Sequence, residues 1–341
     1  MLKENILEKK TIYLMLSTLL SFFYVYSYLS IPNRILKDRA NYIIYANDPD
    51  YFLNSYQGLD LFFNEPIFLL LNKFYTFYFV SDVVPLIFVF FNTSVLMFFL
   101  IKKSNNLFLF LLGLSFVIVF PYLFQSQLTA LRQALAISVF LISFFYFKDH
   151  KKIVISLIFC SFIHSIFFLI SFFYFVNFIL LKRFSLNTKI IFNFLTMLSV
   201  SIIFFVLLEF LGFRQANEYG EKSDNILVVG GGAFLLMTVT FIALFIQRLK
   251  LESDLYLLTM IGLVLFLTGY FINPIAGRLF NSFAPFLMIL LVSKPTKINF
   301  VLLVLLCLFY SILYFNGAYN EVFYIKQDSV FDVLKNIDWV F

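Results

Sequence analysis

Nine stretches of this chain are apolar over lengths that can cross a bilayer: about 11–30, 83–101, 107–124, 128–147, 188–208, 226–247, 255–273, 278–293 and 298–316. Inside lipid no water satisfies the backbone, and continuous runs of this length satisfy it as helices. Apolar residues make up 62% of the 341 and charged ones only 13%, which excludes a soluble domain built on one core. The fold class that follows is an all-α integral membrane protein, a polytopic bundle of about 9–11 transmembrane helices. It forms one domain over 1–341, without internal repeats or low-complexity linkers. The first run is read as a retained helix, because no small-residue cleavage signal follows it.

A further run, 153–181, is ambiguous. Its 29 residues make about 43 Å of helix, long for one crossing of about 30 Å and short for two. Basic residues resolve it. Lys9/Lys10, Lys102/Lys103, Lys148/Lys151/Lys152, Lys182/Arg183/Lys189, Arg248/Lys250 and Lys294/Lys297 recur at alternate ends of the spans. Lysine and arginine enrich cytoplasmic loops. All six clusters lie inside if 153–181 leaves the cytoplasm and returns, as two short helices or a re-entrant hairpin with His164–Ser165 near its tip.

That topology puts 15 basic and 5 acidic residues inside, against 10 and 14 outside, so the net charge of +6 reflects membrane orientation and not nucleic-acid binding. The N-terminus is cytoplasmic. The outer side carries loops 31–66 and 209–226 and the tail, about 317–341. In that tail Val330, Val333, Leu334 and Ile337 repeat at helical spacing, Ser329 and Asp332 can cap the start, and Trp339 suits the headgroup level. Pro66, preceded by Glu65, favours a helix start, so 66–80 reads as a short helix at the outer interface.

The polar residues of interest share this outer side: Asp48, Asp50, Glu65, Arg132, Gln133, His164, Arg214, Asn273 and Arg278. Arg132 lies a few residues from the mouth of its span. One reading is a snorkelling arginine. The other is a buried anion site, because Ala130, Ala134 and Ser138 suit close helix packing and Gln125, Gln127, Thr129 and Gln133 make the mouth polar. A guanidinium fork binds phosphate oxygens bidentately. Arg278 follows the helix-breaking Asn273-Pro274 and Gly277, where irregular backbone lines a cavity or makes an ordinary turn. Arg214 sits in a soluble-looking loop. His164 is either a structural hydrogen-bonding residue or a functional intramembrane one. Asp48, Asp50, Asp60 and Glu65 are candidate bases or sugar ligands, and Tyr42, Tyr45, Tyr51 and Tyr56 can stack on sugars.

Cys160 and Cys307 lie in apolar runs and read as packing residues. Two distant histidines and two such cysteines make no zinc site, whereas magnesium on loop carboxylates stays open. There is no phosphate-binding glycine loop and no Gly-x-Ser-x-Gly elbow.

The motifs "NDPDYF", "NEPIFLLLNKF", "LRQALAISVFLIS", "FIHS" and "GRLFNSF", in this order over about 45–285, resemble the EpsG-like branch of the Wzy-type polymerases. The resemblance implies a helical fold related to membrane glycosyltransferases of the GT-C kind. It implies an enzyme of the cytoplasmic membrane, active on its outer face, that joins undecaprenyl-diphosphate-linked oligosaccharide units into O-antigen, capsule or exopolysaccharide. Its partners would be that lipid-linked oligosaccharide, membrane lipid and a chain-length regulator protein, with no cofactor. By analogy Arg132 and Arg278 hold the diphosphate, with Arg214 assisting. His164, Asp50 and Glu65 compete as catalytic base, and Gln133, Tyr51, Asn273 and Asp48 line the cavity. Two rivals remain. An O-antigen ligase would carry a larger late outer loop than 209–226. A lipid-linked oligosaccharide flippase or other transporter would show polar groups along the spans and often a two-fold repeat.

Overall fold

The computed structural model describes residues 2–56, 58, 63–211, 231–251, 253–273, 275–317, 319 and 322–323. These residues form helices and turns, and one isolated backbone bridge, Leu36 to Phe323, is the only extended pairing among them. Among the described residues five helices are long and apolar enough to cross a membrane, over Lys10–Leu29, Val84–Lys103, Leu186–Ile203, Ile275–Ser293 and Lys297–Phe315. A bent pair, Leu107–Val119 with Pro121–Leu128, makes a sixth if taken together. The runs expected at 128–147, 226–247 and 255–273 give shorter helices, Leu131–Tyr146, Gly232–Ile246 and Asp254–Gly269. Sixteen residues of helix reach only about 24 Å, less than the hydrocarbon thickness. The loop Arg214 and most of the tail, Ser329 through Trp339 included, lie outside the described residues.

The chain divides into two compact units, residues 1–171 with 291–341 and residues 172–290. In the first, α1 (Leu2–Leu29) leads through a turn into the short helices α2 (Arg39–Asn47), α3 (Pro49–Ser55) and α4 (Pro66–Thr76). Then follow α5 (Val84–Lys103), α6 (Leu107–Val119), α7 (Pro121–Leu128), α8 (Leu131–Tyr146), α9 (His150–Ser161) and the start of α10 (Ile166–Phe175). Helix α16 (Lys297–Phe315), the last among the described residues, packs on α6. Helix α5 is central and touches α1, α2, α4, α6, α7 and α8. Gly113 lets α6 approach it closely, since a Cβ there would meet Leu100 Cδ1 at 2.6 Å.

Proline sets the break in the 107–124 run. Pro121 lacks an N–H and disfavours helical backbone in the residue before it, and Phe120 is extended at φ −79°, ψ 117°. The axes of α6 and α7 therefore differ by 69°. The Tyr319 hydroxyl donates to the Val119 carbonyl at the break, 2.7 Å. The 153–181 run also splits, into α9 and α10, with His164–Ser165 in the turn between them.

Two buried polar residues fix the mouth of α8. Arg39, wholly buried, donates from Nε to the Leu128 carbonyl at 2.6 Å and from Nη1 to Asn33 Oδ1 at 2.9 Å. Burial pulls its guanidinium down to about 10, still a cation at neutral pH. Asn92 of α5 donates to the Leu131 carbonyl at 3.4 Å and accepts from Ser138 Oγ at 3.2 Å. Ala134 and Ser138 are buried, as the small-residue stripe requires.

In the second unit α10 ends in a π turn (Val176–Leu180), followed by α11 (Leu186–Leu211), α12 (Gly232–Ile246), α13 (Arg248–Leu251), α14 (Asp254–Gly269) and α15 (Ile275–Ser293). Helices α11 and α14 pack together, and buried Asn177 and Asn193 exchange side-chain hydrogen bonds at 2.9 and 2.8 Å. Asn273 is buried and caps α15, its Oδ1 accepting from the Ile275 N–H at 2.8 Å. Arg278 lies on the first turns of α15, exposed.

Replacing Arg39 by leucine leaves the Leu128 carbonyl and the Asn33 amide oxygen without their donor in a buried site. The expected cost is about 2–4 kcal/mol of stability. A lowered thermal midpoint in detergent, set beside the exposed Lys73→Gln variant, checks it.

Candidate active site

Glu65, Arg132 and His164 come from three separate elements of the first unit and meet at one carboxylate. Glu65 is the residue before Pro66, the first residue of α4. Proline fixes the helix start there, and Glu65 itself takes left-handed backbone, φ 61°, ψ 53°. A non-glycine residue in that region costs on the order of 1–3 kcal/mol and persists only where its surroundings hold it. The surroundings are a guanidinium and an imidazole. Arg132 Nη1 donates to Oε2 at 2.5 Å, and His164 Nδ1 lies 2.5 Å from Oε1. The Ser165 N–H adds a third donor to Oε1 at 3.3 Å. The Ile67 N–H, in the first turn of α4, donates to the Phe162 carbonyl at 3.1 Å and so clamps that turn to the α9–α10 turn.

Burial differs sharply across the cluster. The Glu65 side chain is 7% exposed, His164 19% and Arg132 33%. The carboxylate is thus the closed floor, and the two partners open toward the surface. On its inner side the Arg132 guanidinium lies 5.6–5.9 Å from the rings of Tyr42, Tyr45 and Phe68, at the edge of cation–π range. Burial alone would raise the Glu65 carboxyl, but the adjacent His164 and Arg132 outweigh it and hold the carboxyl below its ordinary value of 4.5. An ionised carboxylate only accepts hydrogen bonds, so Nδ1 of His164 carries the proton toward Glu65. Nε2 is then the basic nitrogen of neutral His164. Arg132 donates to Glu65 and hydrogen-bonds the Tyr42 side chain, which leaves further N–H donors of its five for an oxyanion.

The other sequence candidates lie elsewhere. Asp50, on α3, pairs with Lys73 of α4 at 2.5 Å, and both are exposed. Asp48 caps α3, accepting from the Tyr51 N–H at 3.1 Å, and Tyr51 points outward, 64% exposed. Gln133 is buried in α8. Arg278 and Asn273 belong to the second unit, and Arg214 to the residues outside the description. Among the described residues no group of three His, Cys, Asp or Glu could hold a metal ion. Sequence reasoning missed Arg39 and the rings of Tyr42, Tyr45 and Phe68 as the wall behind Arg132. Arg39 stands beside Arg34, Lys37 and Asp38, and no sequence signal separates it from those charges.

The EpsG family matches residues 12–326, which span all three members of the cluster. The chain belongs to the EpsG family. Membership makes it a protein of polysaccharide biosynthesis of the polymerase type, and its apolar helices make it a multi-pass membrane protein. No curated protein and no solved structure matches the chain.

Because the folded Glu65 carboxyl sits below 4.5, its stabilisation is complete above that value and is lost as the pH falls through the lower folded one. Unfolding of the parent and of Glu65→Gln across pH 3–8 checks this. A stability gap is expected throughout the upper range, closing only at the acid end.

Proposed function

We propose that this protein polymerises polysaccharide repeat units carried on a polyprenyl diphosphate, undecaprenyl diphosphate in bacteria, at the outer face of the cytoplasmic membrane. The observation that carries the reading is the Glu65–Arg132–His164 cluster: one phosphate-competent cation and one oriented base on a shared buried carboxylate. Transfer of the growing chain to the next unit needs both functions. A cation must stabilise the diphosphate as its bond to the sugar breaks, and a base must take the proton from the attacking hydroxyl.

In this reading Arg132 binds the diphosphate and His164 Nε2 is the base. Glu65 orients both, fixing the histidine tautomer through Nδ1, so its role is positioning. Asp50, engaged with Lys73, is set aside as base. Arg278 remains a proposed second diphosphate ligand, tested by its own variant, and Arg214 an assisting one. A bundle of about 9–11 crossings and a kinship to GT-C folds belong to the same proposal, with the shorter helices tilted or broken across the bilayer. The outer-face placement is supported by α8 and α9. Their ends at Arg132 and at the His164 turn carry the cluster, and their opposite ends meet at Lys148, Lys151 and Lys152.

The test is the glycan ladder of cells that lack the native gene and carry the parent chain or a variant at equal membrane abundance. Arg132→Ala and His164→Ala are each expected to cut polymer at least about 100-fold and leave single repeat units. Arg132→Lys, which keeps the charge but not the fork, should fall between them and the parent. A full ladder with Arg132→Ala would overturn the assignment. Single units with the parent as well would favour a ligase or a transporter.

A further inference from the structure

We infer that the groove between α1 and α5 binds one anionic phospholipid, its headgroup phosphate between Lys10 and Lys102. This site lies within the first unit, shares no residue with the Glu65 cluster and does not depend on the polymerase reading.

The groove encloses about 840 Å³. Leu14 and Phe22 of α1 and Phe90 and Phe98 of α5 line its body, and all four are exposed large apolar side chains. From Phe90 to Lys102 the α5 wall runs for about 18 Å, the reach of an acyl chain. Its chemistry is not uniform along that length. Lys10 and Lys102 both line the same end, and no carboxylate lines the groove among the described residues. Lys102 lines the groove, and its ammonium is held over the rings of Phe98 and Tyr146 at 5.3 and 4.9 Å. Lys103 turns the other way, over Phe145 at 4.2 Å.

The mouth is also built. The Tyr13 hydroxyl donates to the Ile101 carbonyl at 2.6 Å, which ties α1 to the last turn of α5 and fixes the two lysines relative to each other. Beside it Ser104 lines the groove, 7% exposed, its side chain next to the Tyr13 hydroxyl. Deeper in, the Ser21 hydroxyl is buried and has no hydrogen-bond partner among the described residues. A simple annular lipid would need an apolar wall alone. Two cations at one end of that wall, with no carboxylate lining it among the described residues, select for negative charge. The same end carries Lys102/Lys103, one of the clusters that mark the cytoplasmic side, where anionic lipid and basic side chains attract each other.

Native mass spectrometry of the full-length detergent-solubilised protein, titrated with phosphatidylglycerol or phosphatidylcholine of equal chain length, tests this. One phosphatidylglycerol should be retained in preference to phosphatidylcholine. The double variant Lys10→Gln/Lys102→Gln should weaken that retention about 30-fold, from roughly 1 kcal/mol per lysine. Lys10→Arg/Lys102→Arg should restore it. Ser94→Trp, which fills the groove without touching the charges, should abolish it and give a second reading independent of the lysines. Equal retention of both lipids, or an unchanged preference in the Gln/Gln variant, would overturn the site. Stronger retention of a polyprenyl phosphate than of phosphatidylglycerol would overturn the occupant.

Discussion

A carboxylate that is nine-tenths buried cannot stand alone, and Glu65 is such a group. Its charge persists because Arg132 and His164 neutralise and hydrogen-bond it. Those partners lie 67 and 99 residues further along the chain. The start of α4, the mouth of α8 and the turn between α9 and α10 must therefore converge, whatever else the bundle does. The left-handed backbone of Glu65 belongs to the same constraint, since the residue holds that conformation while its side chain is pinned from two sides.

The remaining structure of the first unit reads as support for that convergence. Arg39 seizes the last carbonyl of α7, immediately before the break that exposes Arg132. Asn92 seizes the first carbonyl of α8 and, through Ser138, holds the helix two turns further down. Tyr42, Tyr45 and Phe68 close the inner wall. The diphosphate role proposed for Arg132 needs a cation that does not collapse onto lipid or onto its own counter-ion. Here the rings and the single carboxylate limit where the guanidinium can go, and one third of it stays open.

Much of this was legible in the residues. Run lengths gave the helices, and the basic clusters flanking 153–181 argued for a turn near His164–Ser165, where the structure has one. Glu65, Arg132 and His164 each stood out as polar groups in apolar surroundings. Their mutual pairing did not, because sequence spacing carries no information on contacts between elements so far apart. The break at Pro121 was hidden by the apolar run around it, although an X-Pro step argues for one. Asn177 and Asn193 were available as isolated amides in apolar runs, and their reciprocal bonds show why such residues are kept. Asp50 and Asp48 looked equal to Glu65 by composition. Only burial separates them: one is a solvated ion pair, one a helix cap, and Glu65 alone is enclosed.

One carboxylate facing two bases has an arithmetic consequence. With His164 neutral the cluster sums to zero; with His164 protonated it carries one positive charge. An anion seated on Arg132 interacts more favourably with the second state. Proton uptake by the imidazole and anion occupancy of the guanidinium are then thermodynamically linked, and each must strengthen the other by the same factor. In the proposed transfer, a proton taken up by the imidazole would thereby tighten the hold of the guanidinium on the departing anion.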